Sequence, residues 1–464
     1  MAYSTTRRGI SAVTFALGLS LVLAACGGDD GDGGDGDGGG DEGTTGLGAG
    51  ADCDALVEEY GDLSDTEITM YSTIIAPEDA PLEASFDKFE ECTGATIIYE
   101  GSDEFEAQLP VRVEGGTPPD MAILPQPGLL RTLVEDYPDA VVPAPEAVEA
   151  NLDEFFSPDW KAYGEVDGTL YAAPFGANVK SFVWYSPTAF ADAGYEVPET
   201  WDDMLALSDQ IVADGGKPWC AGVSSGEATG WPATDWVEDV VLRTAGPEVY
   251  DQWYTHEIPF NDPQIIEAID TVGEVLKNED YVNGGLGDVA SIATTRFEDG
   301  GLPITLGQCY MHRQASFYAA NWPEGTEVAE DGDVFAFYLP PIDPAQGSPV
   351  LGGGEFVAAF SDRPEVQAFQ AYMATADWHS ERTAQGGAFV SANLEVPLDL
   401  YDDPIDRLSA EILQDEEAIF RFDASDLMPG AVGSGTFWTG MVDWLTGAST
   451  EEVADAIEES WPAS

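Results

Sequence analysis

Ile68-Thr69-Met70-Tyr71, Ala95-Thr96-Ile97-Ile98-Tyr99 and Met121-Ala122-Ile123-Leu124 are three short apolar runs, and the stretches between them carry helical spacing. The first runs from Pro81 to Glu91, with Leu82, Phe86 and Phe89 on one face and Gly94 as its stop. The second runs from Asp103 to Val113, with Phe105, Leu109 and Val113 on one face. Pro110 lies inside it and is expected to bend it. Strand, helix, strand, helix, strand at this spacing predicts an α/β fold: a parallel sheet with helices on its faces. Ligands of such sheets bind beyond the carboxyl ends of the strands. That rule points to Ser72-Thr73, Gly101-Ser102 and Pro125-Gln126-Pro127-Gly128.

Further along, Pro174-Phe175-Gly176 reads as a turn before a strand at Val183-Trp184-Tyr185. Thr200 caps a helix reaching Ala213, and Ile265 to Leu276 is amphipathic. Ile304-Thr305-Leu306 and Val357 to Phe360 read as strands, and Pro364 to Thr375 as a helix. The last helix is expected near Gly440 to Leu445, rich in tryptophan.

Upstream, Arg7-Arg8 precede an apolar run from Ile10 to Ala25, which closes in Leu23-Ala24-Ala25-Cys26-Gly27. A basic start, a short apolar core and small residues before the cut predict an export signal over residues 1–25. The run is shorter than the ~20 apolar residues a spanning helix needs. Cysteine at the cut resembles a bacterial lipoprotein signal, in which Cys26 is acylated and becomes the new N-terminus. Gly27 to Gly50 is almost entirely Gly and Asp. Such a stretch has nothing to bury, so residues 26–64 read as the lipidated cysteine and a solvated tether. Calcium-binding Asp-Gly repeats would need a recurring apolar position, which is missing. The expected location is the outer face of the cell membrane, held by lipid.

The chain carries 87 acidic and 16 basic residues, a net charge of −71. Nucleic acid and anionic lipid surfaces are therefore poor partners. The acids are spread along the whole body, which favours adaptation to high salt over a cation-binding function. With 12 Trp, 17 Tyr and 21 Phe, the chain can fill a core and still leave aromatic rings for a binding surface. Besides Cys26 there are Cys53, Cys92, Cys220 and Cys309. An even number outside the cell suggests two disulfides. Three pairings are possible; the preferred one is Cys53–Cys92 with Cys220–Cys309. No C-x-x-C occurs and only His256, His312 and His379 are available, so no metal site or cofactor is expected.

Several stretches resemble one family in order and spacing: Asp87-Lys88-Phe89-Glu90-Glu91-Cys92-Thr93-Gly94, Pro119-Asp120 before a strand, and Pro174-Phe175-Gly176 before Val183-Trp184-Tyr185. Met428-Pro429 with Phe437-Trp438 beyond adds to them. From about Glu67 to the C-terminus the chain resembles the extracellular sugar-binding proteins of bacterial ABC importers, the maltose-binding type of solute-binding family 1. Pro218-Trp219-Cys220, Gly230-Trp231-Pro232-Ala233-Thr234-Asp235-Trp236 and Cys309-Tyr310-Met311-His312-Arg313-Gln314 resemble its α-glucoside-binding branch. The resemblance implies a two-lobe periplasmic-binding-protein fold of type II, with a hinge and a ligand cleft between the lobes. Residues 65–178 and 350–400 would form lobe 1, and residues 179–349 and 401–464 lobe 2. It also implies a monomer that hands a small sugar to permease subunits driven by a cytoplasmic ATPase. This chain lacks G-x-x-x-x-G-K-[ST], so the energy must come from that partner.

A sugar offers an apolar face and a hydroxyl rim, so its site needs aromatic platforms and polar rim groups. Trp231 sits in a Gly- and Pro-framed loop where the family's stacking aromatic falls, and Trp438 matches a second platform. Trp236 reads as core, whereas Asp235 could serve either role. Tyr310, His312 and Arg313 stand where a maltose-type protein carries aromatics, which favours a small, hydroxyl-rich disaccharide. Arg313 is either a hydroxyl donor or a salt-bridge partner. Gln126 replaces the family's aromatic after Pro-Asp, and Asn178, with Lys180 close by, replaces an acid in the hinge loop. Ser102, Asp103 and Glu106 lie at a strand-to-helix junction, and Glu355 follows three glycines. Two of these acids could suggest a glycosidase pair, but the resemblance argues against hydrolysis. The same fold serving another solute, or an extracellular carbohydrate-active enzyme, are the alternatives.

Overall fold

The computed structural model describes residues 53–284, 288–415 and 418–462. The expected signal peptide, Cys26 and the Gly/Asp-rich stretch lie outside the described residues. Among the described residues, thirteen strands form two large sheets and one hairpin. In chain order they are β1 (Glu67–Ser72), β2 (Thr96–Gly101), β3 (Met121–Leu124), β4 (Glu165–Val166), β5 (Thr169–Leu170), β6 (Ala172–Val179) and β7 (Phe182–Tyr185). Then come β8 (Trp219–Cys220), β9 (Val282–Asn283), β10 (Met311–Arg313), β11 (Phe335–Tyr338), β12 (Val350–Ala359) and β13 (Phe420–Phe422).

The first sheet has the order β13-β12-β3-β1-β2, and β6 pairs with β12. β1 lies parallel to both β2 and β3, as the alternating pattern requires. Helices cover both faces, so β3 is buried at all four positions. Met121 and Ile123 pack with Leu82, Phe86 and Phe89. Ala122 and Leu124 pack on the other face with Phe105 and Leu109. Cross-strand alternation thus sends each apolar residue to one of two cores.

The second sheet has the order β11-β7-β10-β8-β9. The helices Trp201–Ala213, Trp231–Thr244 and Pro263–Leu276 supply Ile211, Val237 and Ile269 to its main core. Thr200 caps the first of these by accepting from the Asp203 N–H at 3.1 Å. The chain passes between the sheets at Lys180-Ser181, again between β11 and β12, and again after β13. β12 is the central hinge strand: its start pairs with β13 and its end with β3, while its other edge pairs with β6.

Four local expectations are corrected. Pro174-Phe175-Gly176 is not a turn but the middle of β6, buried throughout, because β12 supplies a ladder partner from a distant segment. Ile304-Thr305-Leu306 is not a strand but part of a 3-10 helix, Leu302–Leu306. Pro303 removes a donor at its start, Gly307 ends it at φ 64°, and Leu306 is 69% exposed. The Pro81–Glu91 pattern is two helices, Asp79–Ala84 and Asp87–Thr93. The Trp-rich helix Trp438–Thr446 is followed by one more, Thr450–Glu459, opened by a Ser449/Glu452 capping box. The preferred cysteine pairing is the one present, with Cα–Cα separations of 4.7 Å for Cys53–Cys92 and 5.7 Å for Cys220–Cys309.

Candidate functional site

A cavity of about 420 Å³ opens where the parallel strands of the first sheet end, facing the second sheet's helices. β1 delivers Thr73 and Glu78, β2 delivers Asp103 and Glu106, and β3 delivers Pro125 and Gln126. These are the strand ends to which the switch-point rule pointed. The second sheet's side supplies Trp231, Arg296, Phe297 and Phe317. β6 and β12 supply Asn178 and Glu355, and Trp438 closes one wall.

Trp231 is the first residue of its helix, and its placement depends on Gly230. Gly230 holds φ 118°, and a Cβ there would overlap the Trp438 carbonyl oxygen. Only glycine permits this approach, which brings the two tryptophans to the same cavity. Trp231 is half-buried and meets Phe297 and Phe317 at 5.1 and 6.0 Å between ring centres. The Lys180 ammonium lies 5.5 Å from its ring centre. The result is an aromatic wall with a polar rim.

The rim is rich in acceptors. Gln126 Nε2 donates to Glu106 Oε1 at 3.2 Å, while Gln126 Oε1 has no partner. The Asn178 Oδ1 acceptor and the Trp438 Nε1–H donor are also buried without a partner. Such groups cost free energy unless something meets them. Burial raises the Glu106 carboxyl against the opposing Gln126 amide. It pushes Glu355 up to about 7, opposed by Lys180 and Arg382. Glu78 is pushed up to about 8 by burial and by the nearby Glu355 charge.

Behind the cavity lies a buried ion network. Lys180 Nζ contacts Asp423 and lies 3.1 Å from Asp235 and 3.9 Å from Asp426. Burial works against its charge, but these carboxylates overcome it and hold its pKa well above the lysine range. Asp423, buried beside Lys180, is held below the usual carboxylate range. Arg313 Nη2 donates to Asp239 at 2.9 Å, and its Nη1 lies 3.6 Å from Asp235.

Trp231, Trp438, Gln126, Glu355, Asn178 and Glu106 all line the cavity; five other candidates do not. Asp235 is fully buried and instead holds Lys180, which does line it. Arg313, on the second sheet, is a salt-bridge partner of Asp239. His312 donates from Nδ1 to the Cys220 carbonyl at 3.0 Å, and burial lowers its pKa to about 4. Both sit on β10, an inner strand, rather than on a rim loop. Tyr310 packs against Tyr195 at 5.3 Å. Ser102 Oγ accepts the Glu104 N–H at 3.1 Å. The expectation missed Glu78, Phe297, Phe317 and Arg382. Glu78 lies a few residues beyond Thr73, so the switch-point rule applied over a longer loop would have reached it. The other three carry no local signal.

Two α/β lobes joined by crossing strands around a ligand cleft define a type II periplasmic-binding-protein fold. The bacterial solute receptor AcbH, described as preferring b-D-galactopyranose, shares this fold: TM-score 0.72 at 19% identity, over 86% of this chain and 97% of that one. The family model described as "Bacterial extracellular solute-binding protein" matches residues 75–379, and this chain belongs to that family. The osmoprotective compounds-binding protein GgtB of Synechocystis sp. is 44% identical over 405 residues, covering 87% of this chain and 94% of GgtB. The alpha-glucosides-binding periplasmic protein AglE of Rhizobium meliloti is 41% identical over 421 residues, covering 88% and 90%. The chain is thus an extracytoplasmic sugar- or solute-binding component of an ABC transporter, and not an enzyme. Among the described residues no helix is long and apolar enough to cross a membrane.

Proposed function

We propose that this protein is a lipid-anchored receptor, acylated at Cys26, that captures an α-glucoside or similar small hydroxyl-rich glucoside and delivers it to its permease as a monomer. The observation that carries the ligand reading is the cavity wall. Trp231, Phe297, Phe317 and Trp438 face a rim of carboxyls and amides around about 420 Å³. That volume lies within the ~300–1,000 Å³ of small-molecule sites. Aromatic rings suit the apolar face of a sugar, and the unpartnered acceptors suit its hydroxyls. The name of AglE supports an α-glucoside, and that of GgtB points to osmoprotective compounds.

We assign residues 65–178 and 350–400 to one lobe and 179–349 and 401–464 to the other. The first sheet's strands up to Val179, and β12, support this division. β13 is the exception, a hinge strand that pairs back onto β12.

The test is intrinsic tryptophan fluorescence of the purified protein, titrated with trehalose, maltose, sucrose, glucose and a polyamine control. One disaccharide should give a saturable change. Trp231→Ala should weaken it about tenfold or more, equivalent to about 1.4 kcal/mol. No response to any sugar from folded protein would refute the reading.

A further inference from the structure

Three consecutive residues, Arg296, Phe297 and Glu298, reach the cavity wall from the short helix Phe297–Gly300 and its cap. A single helical turn has too few internal hydrogen bonds to hold its own shape. Its start is tied to the neighbouring chain. Ser224 N–H donates to the Thr295 carbonyl and Phe297 N–H to the Ser224 carbonyl, both at 2.9 Å. Its end is tied by a side chain: Tyr318 Oη accepts the Gly301 N–H at 2.8 Å and donates to the Glu298 carbonyl at 2.7 Å. Gly300 and Gly301 let the turn lie directly on the rings behind it. A Cβ on Gly301 would stand 2.7 Å from the His312 ring and 2.9 Å from Tyr318. The Tyr318 ring is fully buried and lies behind the cavity lining. His312, Trp322 and Trp184 surround it at 4.9, 5.1 and 6.1 Å between ring centres. The preceding residue, Phe317, does line the cavity, 6.3 Å from Phe297. The place of Phe297 against Trp231 therefore depends on a hydroxyl outside the cavity lining.

Resting on the receptor reading above, we infer that Tyr318 is a positioning residue for ligand binding: its hydroxyl holds the Phe297 ring in the aromatic wall. Without that oxygen the Gly301 N–H and the Glu298 carbonyl lose their partner. The turn regains freedom, and ordering it becomes part of the cost of binding. The effect passes through Phe297 and leaves the ring packing behind the wall in place, because phenylalanine fills the same space as tyrosine without the hydroxyl.

The experiment compares Tyr318→Phe with Tyr281→Phe, which loses a hydroxyl bond to Asp209 of 2.6 Å on a residue outside the cavity lining. Hydrogen exchange of the unliganded protein is the first measurement. The amides of residues 297–301 should be at least tenfold less protected in Tyr318→Phe and unchanged in Tyr281→Phe. Titration with trehalose, maltose and sucrose is the second. The sugar that binds should bind at least fivefold more weakly to Tyr318→Phe, and within twofold of native to Tyr281→Phe. In a Phe297→Ala background, Tyr318→Phe should cost less than twofold further, the non-additivity of residues that act as one unit. Phe297→Leu serves for this cycle where alanine abolishes binding. Thermal melts establish that each variant is folded. If Tyr318→Phe is not, Gly301→Ala, which pushes the turn off the Tyr318 ring, should give the same losses. Unchanged exchange in the turn overturns the anchoring by Tyr318. Native affinity, or full additivity with the Phe297 variant, overturns the positioning role. Failure of all three sugars with folded native protein overturns the glucoside reading instead, and unchanged exchange would then overturn the Tyr318 assignment as well.

Discussion

Arg313 and Trp231 are both polar-tipped or aromatic side chains beside the cleft, yet the fold uses them in opposite ways. Arg313 is 3% exposed, bonded to Asp239 and near Asp235, with its guanidinium 5.7 Å from the Trp236 ring centre. Removing one partner of a buried network leaves charges that nothing compensates. Arg313→Met should therefore lower unfolding free energy by about 3–5 kcal/mol, measured by denaturant titration. Ligand affinity of the folded fraction should stay within threefold of the native protein. A selective affinity loss at unchanged stability would contradict the structural role. Trp231 shows the reverse design: it is half-buried against Phe297 and Phe317, with one side left to the cavity. From sequence alone Arg313 had two open roles. Its neighbours Asp235 and Asp239 lie more than seventy residues away in the chain, and only packing brings them within reach.

At the scale of elements, the cleft is a junction of helix starts and strand ends. Gly230 caps the Trp231–Thr244 helix at φ 118° and presses against the start of Trp438–Thr446. Alanine at this position would be strained in its backbone and would collide with the Trp438 carbonyl. Gly230→Ala should force the two helices apart, lowering both the melting temperature and ligand affinity. Calorimetry and titration on one preparation check this; a variant with native affinity would show that the close approach is dispensable. Most elements were legible, because helix spacing and caps such as Thr200 are local signals. The failures share one cause. Pro174-Phe175-Gly176 looks like a turn until β12 offers it a ladder, and Ile304-Thr305-Leu306 looks like a strand although no ladder reaches it. Strand pairing is a nonlocal decision.

For the whole molecule, two sets of buried groups oppose each other as pH changes. His312 and His379 have pKa values lowered by burial to about 4 and about 3. Unfolding lets them take up protons near pH 6.5, so they cost stability as pH falls below that value. Glu78 and Glu355 are raised by burial to about 8 and about 7, and Asp235, fully buried, to about 7. The native state keeps protons that the unfolded chain releases near pH 4.3, so their contribution falls as pH rises from there to about 8. Between pH 6.5 and 8 the histidines are silent and only the falling arm remains. The melting temperature of the unliganded protein should therefore drop across that interval at constant ionic strength. A flat or rising profile would show that these carboxyls ionise normally.

Features that depend on near neighbours and on composition were legible before any packing was known. The sequence dictated the α/β ladder at the start of the body, the strand ends that line the cavity, and the supply of cysteines for two crosslinks. It also placed Trp231 in a loop framed by Gly230 and Pro232. The tertiary structure alone decided which polar residues face the cavity and which support it from behind. Lys180 meets Asp423 across 243 positions of chain, and Arg382 comes to the same cavity as Glu78 from another segment. A side chain's direction is set by the register of its strand and by what packs above it. That information is absent from the residue's own neighbourhood.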